Sequence, residues 1–233
     1  MFTKMEDFTQ RTRMLLGNGC DLVQNSSVAI FGLGGVGSYA AEALARAGVG
    51  KMLLCDGDTV SITNINRQLC ALTSTVGMPK TEVVAKRLKD INPQIELTII
   101  DRFIKADDDL GFLSEFTYIA DCIDDVPAKL AIISAAKDNG VSIISALGCG
   151  NRLDPEKLTV TDIYKTSGCP LARSVRSKLR KLGIESLDVL FSTEEPIKPE
   201  GATCPGSISF VPSAAGLIMA GKIIREISKT NKE

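Results

Sequence analysis

The chain has 233 residues, of which 44% are apolar, and this is enough to bury the core of one large domain. Its formal net charge of −1 excludes a broad electrostatic grip on nucleic acid, and its seven cysteines form no CxxC pair, which disfavours a disulfide framework or a cysteine-only zinc site. Because the chain has no histidine, the commonest acid–base group near neutral pH, its chemistry has to rest on carboxylates, lysine, arginine and cysteine.

The first half of the chain alternates short apolar runs with amphipathic segments. An apolar run at 28–31 is followed by a glycine-rich turn and by apolar residues three and four positions apart, which predict a helix over 35–47. The same alternation predicts four more strands and two more helices: strands 52–55, 95–100, 118–120 and 141–145, and helices 79–91 and 127–139. Short apolar strands that alternate with helices are typical of a parallel sheet covered on both faces.

The second half of the chain has a different character. Apolar runs at 158–163 and 187–191 predict two further strands, on either side of a basic amphipathic helix over 171–182. Residues 192–206 are rich in Pro, Glu, Gly and Thr, and we expect them to form a mobile crossover loop. Residues 213–227 are apolar on nearly all sides, which predicts a buried or interface helix.

Together these elements predict a single α/β domain over residues 1–233. The expected fold is Rossmann-like, with a doubly wound, mainly parallel sheet, helices on both faces and a C-terminal antiparallel elaboration. We divide it into a nucleotide-binding half, 27–147, and a half for substrate, crossover loop and dimer contacts, 148–233. No apolar run approaches the ~18 residues that cross a bilayer and the N-terminus is unlike a secretory signal, so we expect a cytoplasmic protein without a membrane partner.

A glycine-rich turn joins the first predicted strand to the first predicted helix. Its sequence, Gly32-Leu33-Gly34-Gly35-Val36-Gly37, follows the G-x-G-x-x-G pattern, which permits a tight turn, close approach of backbone to phosphate and close packing of helix on strand. Asp56 lies 19 positions after Gly37, at the end of the second strand, where nucleotide-binding βαβ units place the carboxylate that contacts ribose hydroxyls. A glycine turn without a ligand is the alternative. We predict a nucleotide site that contains Gly32, Gly34, Gly35, Gly37 and Asp56.

Further polar residues follow Asp56 in the chain, namely Asp58, Asn64, Arg67, Gln68 and Lys80. Cations at these positions suit a triphosphate that is to be split, whereas hydride transfer gains nothing from them. Asp124 follows the strand at 118–120, at the sheet edge where α/β proteins bind ligands, and it is our candidate ligand for Mg²⁺. The alternatives are ordinary surface charge for Arg67 and Lys80, and the N-cap of the next helix for Asp124.

The motifs around these residues resemble the adenylation domain of the ubiquitin-activating-enzyme-like superfamily, which includes the bacterial molybdopterin- and thiamine-biosynthesis adenylyltransferases. The motifs are Gly32 to Gly37, Asp56-x-Asp58, Asn64-x-x-Arg67-Gln68, Lys80 and Asp121-x-x-Asp124. Residues 11–17 resemble the superfamily's N-terminal segment, whose arginine, here Arg11, reaches the triphosphate of the partner subunit in a homodimer. Residues 162–166, 169–172 and 205–212 resemble one branch, the tRNA threonylcarbamoyladenosine dehydratases.

This resemblance implies ATP and Mg²⁺ as cofactors and a substrate tRNA that bears threonylcarbamoyl-adenosine. It implies that the threonyl carboxylate is adenylated and that a ring then closes with release of AMP. Catalytic roles follow for Arg67, Lys80, Asp124 and Arg11, and the expected assembly is a homodimer, with a sulfur-transfer protein as a further possible partner. The main alternative is an adenylyltransferase for the C-terminal glycine of a small ubiquitin-like sulfur carrier. A nucleotide sensor and a nicotinamide-dependent oxidoreductase are weaker alternatives.

Two features of the second half remain hypotheses at this point. The helix over 171–182 carries Arg173, Arg176 and Arg180 on one side, which could hold the tRNA backbone or simply face solvent. Cys204 lies in the expected crossover loop, where some relatives carry a nucleophilic cysteine. Because ring closure needs no thioester, we expect Cys204 to have no covalent role.

Overall fold

The centre of the molecule is a seven-stranded sheet. The computed structural model describes residues 8–197, 200–201 and 204–229. Its strands are β1 (Ser27–Phe31), β2 (Lys51–Cys55), β3 (Glu96–Ile100), β4 (Tyr118–Asp121), β5 (Ser142–Ala146), β6 (Leu158–Asp162) and β7 (Asp188–Ser192). The order across the sheet is β3-β2-β1-β4-β5-β7-β6. Neighbouring strands are parallel except for β6 and β7, so the predicted parallel sheet with an antiparallel elaboration is confirmed.

Helices cover both faces of this sheet. In the described part of the chain they are α1 (Gln10–Leu16), α2 (Gly19–Gln24), α3 (Gly37–Ala47), α4 (Lys80–Ile91), α5 (Val126–Asp138), α6 (Pro170–Lys181) and α7 (Phe210–Ile227). The five predicted helices are confirmed, and their ends are shifted by a few residues. Helix α7 begins before Pro212 rather than after it, because the first N–H groups of a helix need no intrahelical acceptor and a proline costs little there.

Strand β1 shows why the apolar runs are continuous. It lies between β2 and β4, with Ala29 in register with Leu53 on one side and Ile119 on the other. Alternate residues of β1 enter two different cores: Val28 packs in the core with helices α3, α4 and α7, and Ala29 packs in the core with α5 and α6. Because both faces of the strand are covered, all four buried residues of β1, 28–31, are apolar, and its one polar residue, Ser27, is the half-buried first residue.

Helix α7 is buried, as its apolar sequence predicts. It packs closely on α3, where a Cβ atom at Gly216 would lie 2.3 Å from the backbone oxygen of Val36. None of the described helices combines the length and the apolar character needed to cross a membrane.

The predicted crossover loop, 192–206, begins one residue too early, because Ser192 is the last residue of β7, and its other described residues form no helix or strand. Residues 198–199 and 202–203 lie outside the described part of the chain. The described residues on either side are fastened to Asn151, which accepts a hydrogen bond from the Ile197 N–H at 2.9 Å and donates its own N–H to the Gly206 oxygen at 2.8 Å. Ile197 and Gly206 therefore lie against the segment that follows β5.

A polar network ties α7 to the sheet. The Tyr118 hydroxyl donates to Glu226 at 2.6 Å, and Lys222 lies 2.7 Å from Glu226 and 2.8 Å from Asp188. Partial burial would by itself raise the pKa of Glu226, but the hydrogen bonds from Lys222 and Tyr118 outweigh it and the pKa lies below its usual value of 4.5. The ionised form of Glu226 therefore stabilises the folded state.

We expect Glu226→Gln to reduce the free energy of unfolding at neutral pH by less than ~1 kcal/mol, since the group is partly exposed. A folded-state pKa below the unfolded one gives a stabilisation that is present above the usual value of 4.5 and is lost as the pH falls through the lower folded value. Urea unfolding of the two proteins at several pH values, with the exposed Glu185→Gln as control, measures this difference. A difference that stays constant into acid contradicts the prediction.

Candidate active site

A cleft of about 1410 Å³ lies at the carboxyl ends of the parallel strands. Five of the segments that line it follow different strands: 32–36 after β1, 55–58 at the end of β2, 102–106 after β3, 122–128 after β4 and 148–152 after β5. In the sheet, β2 lies beside one edge of β1, and β4 lies beside its other edge, followed by β5. The cleft thus lies where the strand order reverses, which is the usual ligand site of doubly wound sheets.

The glycine turn forms the floor of this cleft. Gly32 has φ +86°, and a Cβ atom there would lie 2.9 Å from the Cys122 oxygen. At Gly37, a Cβ atom would lie 1.8 Å from the Gly32 oxygen, so only glycine lets α3 begin directly after the turn. At Gly34, the nearest atom to an added Cβ is a Gln68 side-chain nitrogen at 3.7 Å, which leaves this backbone open to the cleft. Gly35 also lines the cleft, whereas Gly37 serves packing.

Asp56 is held rigidly at the end of β2. Its Oδ2 atom accepts a hydrogen bond from the Leu33 N–H at 2.6 Å, and its Oδ1 atom accepts one from the Asp58 N–H at 2.8 Å. Each carboxylate oxygen has a second lone pair, so the fixed carboxylate can still accept a ribose hydroxyl. Its place on the cleft wall agrees with the predicted role, which remains a prediction.

Lys80 is the first residue of α4, and its side chain is only 4% exposed. Its Nζ atom lies 2.7 Å from Oδ2 of Asp58, which is half exposed, and both residues line the cleft. An ammonium has three N–H donors, so one bond to Asp58 leaves donors for a further anion. The position is therefore a buried cation beside the predicted phosphate site rather than ordinary surface charge.

Asn64 and Arg67 belong to a loop that is stiffened by its own hydrogen bonds. The Asn64 side-chain oxygen accepts the Ser61 N–H at 3.1 Å in a capping box. One guanidinium nitrogen of Arg67 donates to the Thr63 oxygen at 3.0 Å and to Asn66 at 2.9 Å. Arg67 retains its other N–H groups for a ligand. Both residues line the cleft, as does the buried Gln68.

Two adjacent carboxylates after β4 have different partners. Asp125 is the N-cap of α5 and accepts the Ala128 N–H at 2.9 Å. Asp124 is exposed, lines the cleft, and makes no hydrogen bond or ion pair with any residue that the structure describes. The capping role that was the alternative for Asp124 is therefore filled by its neighbour, and the Asp124 carboxylate is available to a ligand.

Asp121 does not reach the cleft. Its side chain is fully buried, and its Oδ2 atom lies 2.7 Å from the ammonium of Lys129, which is equally buried and also donates to the Ala146 oxygen at 3.2 Å. The pair links β4, α5 and β5 beneath the site, so Asp121 supports the fold rather than a ligand. Lys129 was not singled out in the sequence, although it lies eight positions after Asp121 on the buried side of a predicted helix.

Several cleft residues have no counterpart among the predicted ones. Arg102 and Phe103 follow β3, and Asn151 and Arg152 follow β5. The sequence did hold one signal for them, because each pair lies in a segment that follows a predicted strand at the edge where ligands bind, two residues after the strand for Arg102 and six residues after it for Asn151. Of these four residues, Arg152 is the most buried, with 3% of its surface exposed.

Most of the cleft cysteines are unsuited to nucleophilic catalysis. Burial raises the pKa of Cys55 and the pKa of Cys149 to about 12 in each case, so these side chains are neutral thiols at physiological pH. Cys169 caps α6, where its sulfur accepts the Ala172 N–H at 3.4 Å. Cys204 is exposed and lines the cleft, which agrees with its predicted position in the crossover region.

The basic side of α6 is only partly free. Arg173 and Arg180 are exposed, and Arg180 lies over the Tyr164 ring at 5.4 Å. Arg176 instead donates to the Thr166 backbone oxygen at 2.8 Å and to its hydroxyl at 2.7 Å. Arg176 therefore helps to hold the turn before α6, and the surface available to a polyanion comes from Arg173 and Arg180.

Arg11 lies on α1, is exposed, and does not line the cleft of its own chain. Any contact between Arg11 and a nucleotide would therefore involve a second copy of the chain.

Comparison with known proteins identifies the family of the chain. The model of the ThiF family matches residues 10–233. The tRNA threonylcarbamoyladenosine dehydratase of Bacillus subtilis (strain 168) is 40% identical over 238 residues, which cover 94% of each chain. The crystal structure of the Escherichia coli tRNA N6-threonylcarbamoyladenosine dehydratase in complex with ATP superposes with a TM-score of 0.88 at 34% identity, covering 93% of this chain and 92% of that one. The Escherichia coli (strain K12) sulfur carrier protein ThiS adenylyltransferase is 32% identical over 63% of this chain and 61% of its own length. The chain therefore belongs to the ThiF family, in its branch of tRNA threonylcarbamoyladenosine dehydratases.

Proposed function

We propose that the chain is an ATP-dependent tRNA threonylcarbamoyladenosine dehydratase. It adenylates the threonyl carboxylate of threonylcarbamoyl-adenosine in tRNA and then closes a ring on the activated acyl group. The relatives of that name support this proposal, because the match covers 94% of the Bacillus subtilis protein and 92% of the Escherichia coli crystal structure. The observation that carries the mechanism is the presence of a buried ammonium, Lys80, and an uncommitted carboxylate, Asp124, in the same cleft as the glycine turn. A site that only binds a nucleotide needs neither.

The first step is attack of a substrate carboxylate oxygen on the α-phosphorus of ATP. A carboxylic acid with a pKa of about 4 is already ionised at neutral pH, so no general base is needed. This agrees with a chain that has no histidine. The oxygen–phosphorus bond forms, the bond to the β-phosphate breaks, and pyrophosphate leaves with the electron pair. Lys80 and Arg67 stabilise the negative charge that builds up on the phosphates.

Asp124 is suited to hold a magnesium ion together with the phosphates of ATP. No group of three or more His, Cys, Asp or Glu side chains within residues 8–197, 200–201 and 204–229 could bind a metal. This fits Mg²⁺, which is commonly held by one or two carboxylates, water and substrate phosphate rather than by a protein cage. When bound, the ion neutralises phosphate charge.

The second step is intramolecular. A nitrogen of the modified base attacks the acyl carbon, AMP leaves with the electron pair of the broken bond, and the nitrogen loses its proton to solvent. Holding the two groups together contributes about 7–11 kcal/mol when the geometry is right. The two steps together remove one water from the base at the expense of ATP, and they need no nucleophile from the protein.

The assembly that we propose is a homodimer in the cytoplasm, in which Arg11 of the partner subunit reaches the triphosphate. The exposed position of Arg11 outside its own cleft supports this. The exposed side chains of Met14 and Leu15 on the same helix offer apolar surface for a subunit contact. We keep the division into a nucleotide-binding half, 27–147, and a substrate half, 148–233. A sulfur-transfer protein remains a possible additional partner.

The test is direct. The protein is incubated with ATP, Mg²⁺ and tRNA that bears threonylcarbamoyl-adenosine. The tRNA is then digested, and the masses of its nucleosides are measured by mass spectrometry. Loss of one water from the modified nucleoside supports both substrate and reaction. Pyrophosphate exchange that needs a sulfur-carrier protein instead of tRNA would favour the alternative, an adenylyltransferase for a C-terminal glycine, which the less complete match to the sulfur-carrier enzyme makes the second candidate.

We expect charge reversal at Arg173 and Arg180 to weaken tRNA binding and to leave ATP binding unchanged. Phosphate contacts dominate the affinity of proteins for nucleic acid, and removing about two of them lowers the salt dependence by a slope of about 2. Filter binding at several salt concentrations measures this. Arg176→Glu serves as a comparison, because it should lower the melting temperature by breaking the contacts with Thr166. An unchanged affinity and an unchanged salt slope for the double variant would remove this surface from the tRNA site.

A further inference from the structure

Arg152 is a buried cation that has no hydrogen-bonding or ion-pair partner among the described residues. Only 3% of its surface is exposed, and its Nε and Nη1 atoms are buried without a hydrogen bond to any described residue. An arginine cannot lose its charge at physiological pH, so burial without an anion is strongly unfavourable. Such a group suggests that an anion is supplied from outside the chain.

The surrounding residues do not provide that anion. The charge of Arg152 acts on the Glu194 carboxyl, but the two residues form no ion pair, and Glu194 instead accepts the backbone N–H groups of Leu153 at 3.1 Å and Asp154 at 3.0 Å. Among the described residues, no carboxylate lies within salt-bridge distance of Arg152. The residue nevertheless lines the cleft, so a ligand in the cleft is the remaining source.

The strand order places Arg152 away from the predicted phosphate site. Along the cleft, Asp56 follows β2, the glycine turn follows β1, Asp124 follows β4 and Arg152 follows β5. Neighbouring strands are about 4.8 Å apart, so β5 is about 10 Å from β1 and about 14 Å from β2. Lys80 and Arg67 come from the segment between β2 and β3, whereas Arg152 follows β5, which lies on the other side of β1 in the sheet.

We propose that Arg152 binds the carboxylate of the acceptor, the group that is to be adenylated. This inference rests on the proposed function. A nucleophile has to approach the α-phosphorus from the side away from the leaving pyrophosphate, and the β5 end of the cleft is the side that the predicted nucleotide groups leave open. A guanidinium presents a planar pair of N–H donors that matches a carboxylate, which makes it better suited to this group than an ammonium would be.

This contact also accounts for the order of the two steps. Before adenylation the carboxylate is an anion, and Arg152 holds it while one of its oxygens bonds to phosphorus. After adenylation the acyl oxygen carries no full charge, so the attraction to Arg152 weakens and the acyl carbon is released for attack by the base nitrogen. No proton moves to or from Arg152 in either step. Arg152 is thus a substrate-binding residue, and its loss affects KM more than kcat.

The experiment compares wild type, Arg152→Gln and Arg152→Lys with two forms of one tRNA, with and without the threonylcarbamoyl group. Arg46→Gln, on the exposed side of α3, is the surface control. We expect Arg152→Gln to bind modified tRNA about 10- to 100-fold more weakly, which is the usual effect of losing a charged hydrogen bond. Its affinities for ATP and for unmodified tRNA stay unchanged, and Arg152→Lys recovers part of the KM. Because an unpaired buried charge is removed, the thermal midpoint of Arg152→Gln stays level or rises by about 2–4 °C.

Each other outcome overturns the inference in a recognisable way. Equal weakening for both tRNAs identifies a tRNA phosphate as the ligand, and a weaker affinity for ATP identifies the nucleotide. A lower thermal midpoint with an intact preference for modified tRNA shows a structural role. If wild type and Arg152→Gln both convert modified tRNA with the same KM, the role of Arg152 is refuted and the proposed function stands. If wild type neither prefers modified tRNA nor removes water from it, both are refuted.

Discussion

Replacing Lys80 with Met is expected to lower the rate of acyl-adenylate formation by about 10²- to 10³-fold, the usual effect of removing one charge-stabilising donor. Lys80 is a buried cation, and its ion-pair partner in the part of the chain that the structure describes, Asp58, is half exposed. Methionine fills similar space without the charge, so the fold should persist. The effect should fall on the chemical step, because the negative charge on the phosphates increases as pyrophosphate leaves.

Single-turnover formation of the adenylate, measured with ATP labelled in the α-phosphate, tests this prediction. Lys86→Met is the matched control, since Lys86 is an exposed lysine on the same helix. Thermal melting of both variants shows whether the fold is intact. A Lys80→Met enzyme that forms adenylate at the wild-type rate would remove the central cation from the mechanism, and with it the main argument for an adenylating site.

Asp124→Asn is expected to abolish most of the activity and to leave the thermal midpoint unchanged. The Asp124 carboxylate is exposed in the cleft and has no partner among the described residues, so the fold does not depend on its charge. An amide is a weaker ligand for Mg²⁺ than a carboxylate. The loss should be partly recovered by a high concentration of Mg²⁺, because the remaining ligands from ATP and water still bind the ion.

The neighbouring residue provides an unusually close control. Asp125→Ala removes the N-cap of α5, which costs about 1 kcal/mol and lowers the thermal midpoint by about 2–4 °C. Asp125→Ser keeps a capping oxygen and should be nearly as stable as wild type. Activity and melting, measured on all three variants, separate the two roles. Equal loss of activity in Asp124→Asn and Asp125→Ser would show that the site depends on the whole acidic segment rather than on Asp124.

Local patterns in the sequence were sufficient for the seven strands, for five of the seven described helices and for the glycine turn, whereas α1 and α2 were not predicted. Strand β1 is a continuous apolar run because both of its faces are covered, and α3 shows its apolar spacing because one side packs on the sheet. Gly32 and Gly37 could be recognised because the backbone at these positions admits no side chain. The ends of elements were less well predicted, as in α7, which was predicted to begin at residue 213 and begins at Phe210.

The partners of charged side chains could not be read in this way. Nothing in the order Asp121, Asp124, Asp125 states that the first pairs with Lys129, the second faces the cleft and the third caps a helix. Likewise, the sequence places Arg173, Arg176 and Arg180 on the same side of α6. Only the hydrogen bond from Arg176 to Thr166 shows that this arginine, unlike the other two, is held by the protein. Each of these assignments depends on where a strand end, a helix start and a loop meet.

The sequence by itself determined the alternation of strands and helices, the glycine turn, and Asp56 at the end of the next strand, because these follow from backbone geometry over short stretches of chain. Lys80 and Asp124 could be expected near that turn only through the sheet topology, in which β4 lies beside β1. The tertiary structure alone decided which charges are paired and which remain available, and it brought Arg152 into the cleft. The physical reason is that an ion pair or a buried charge is defined by distance and by exclusion of water, and both arise only when segments far apart in the chain pack together.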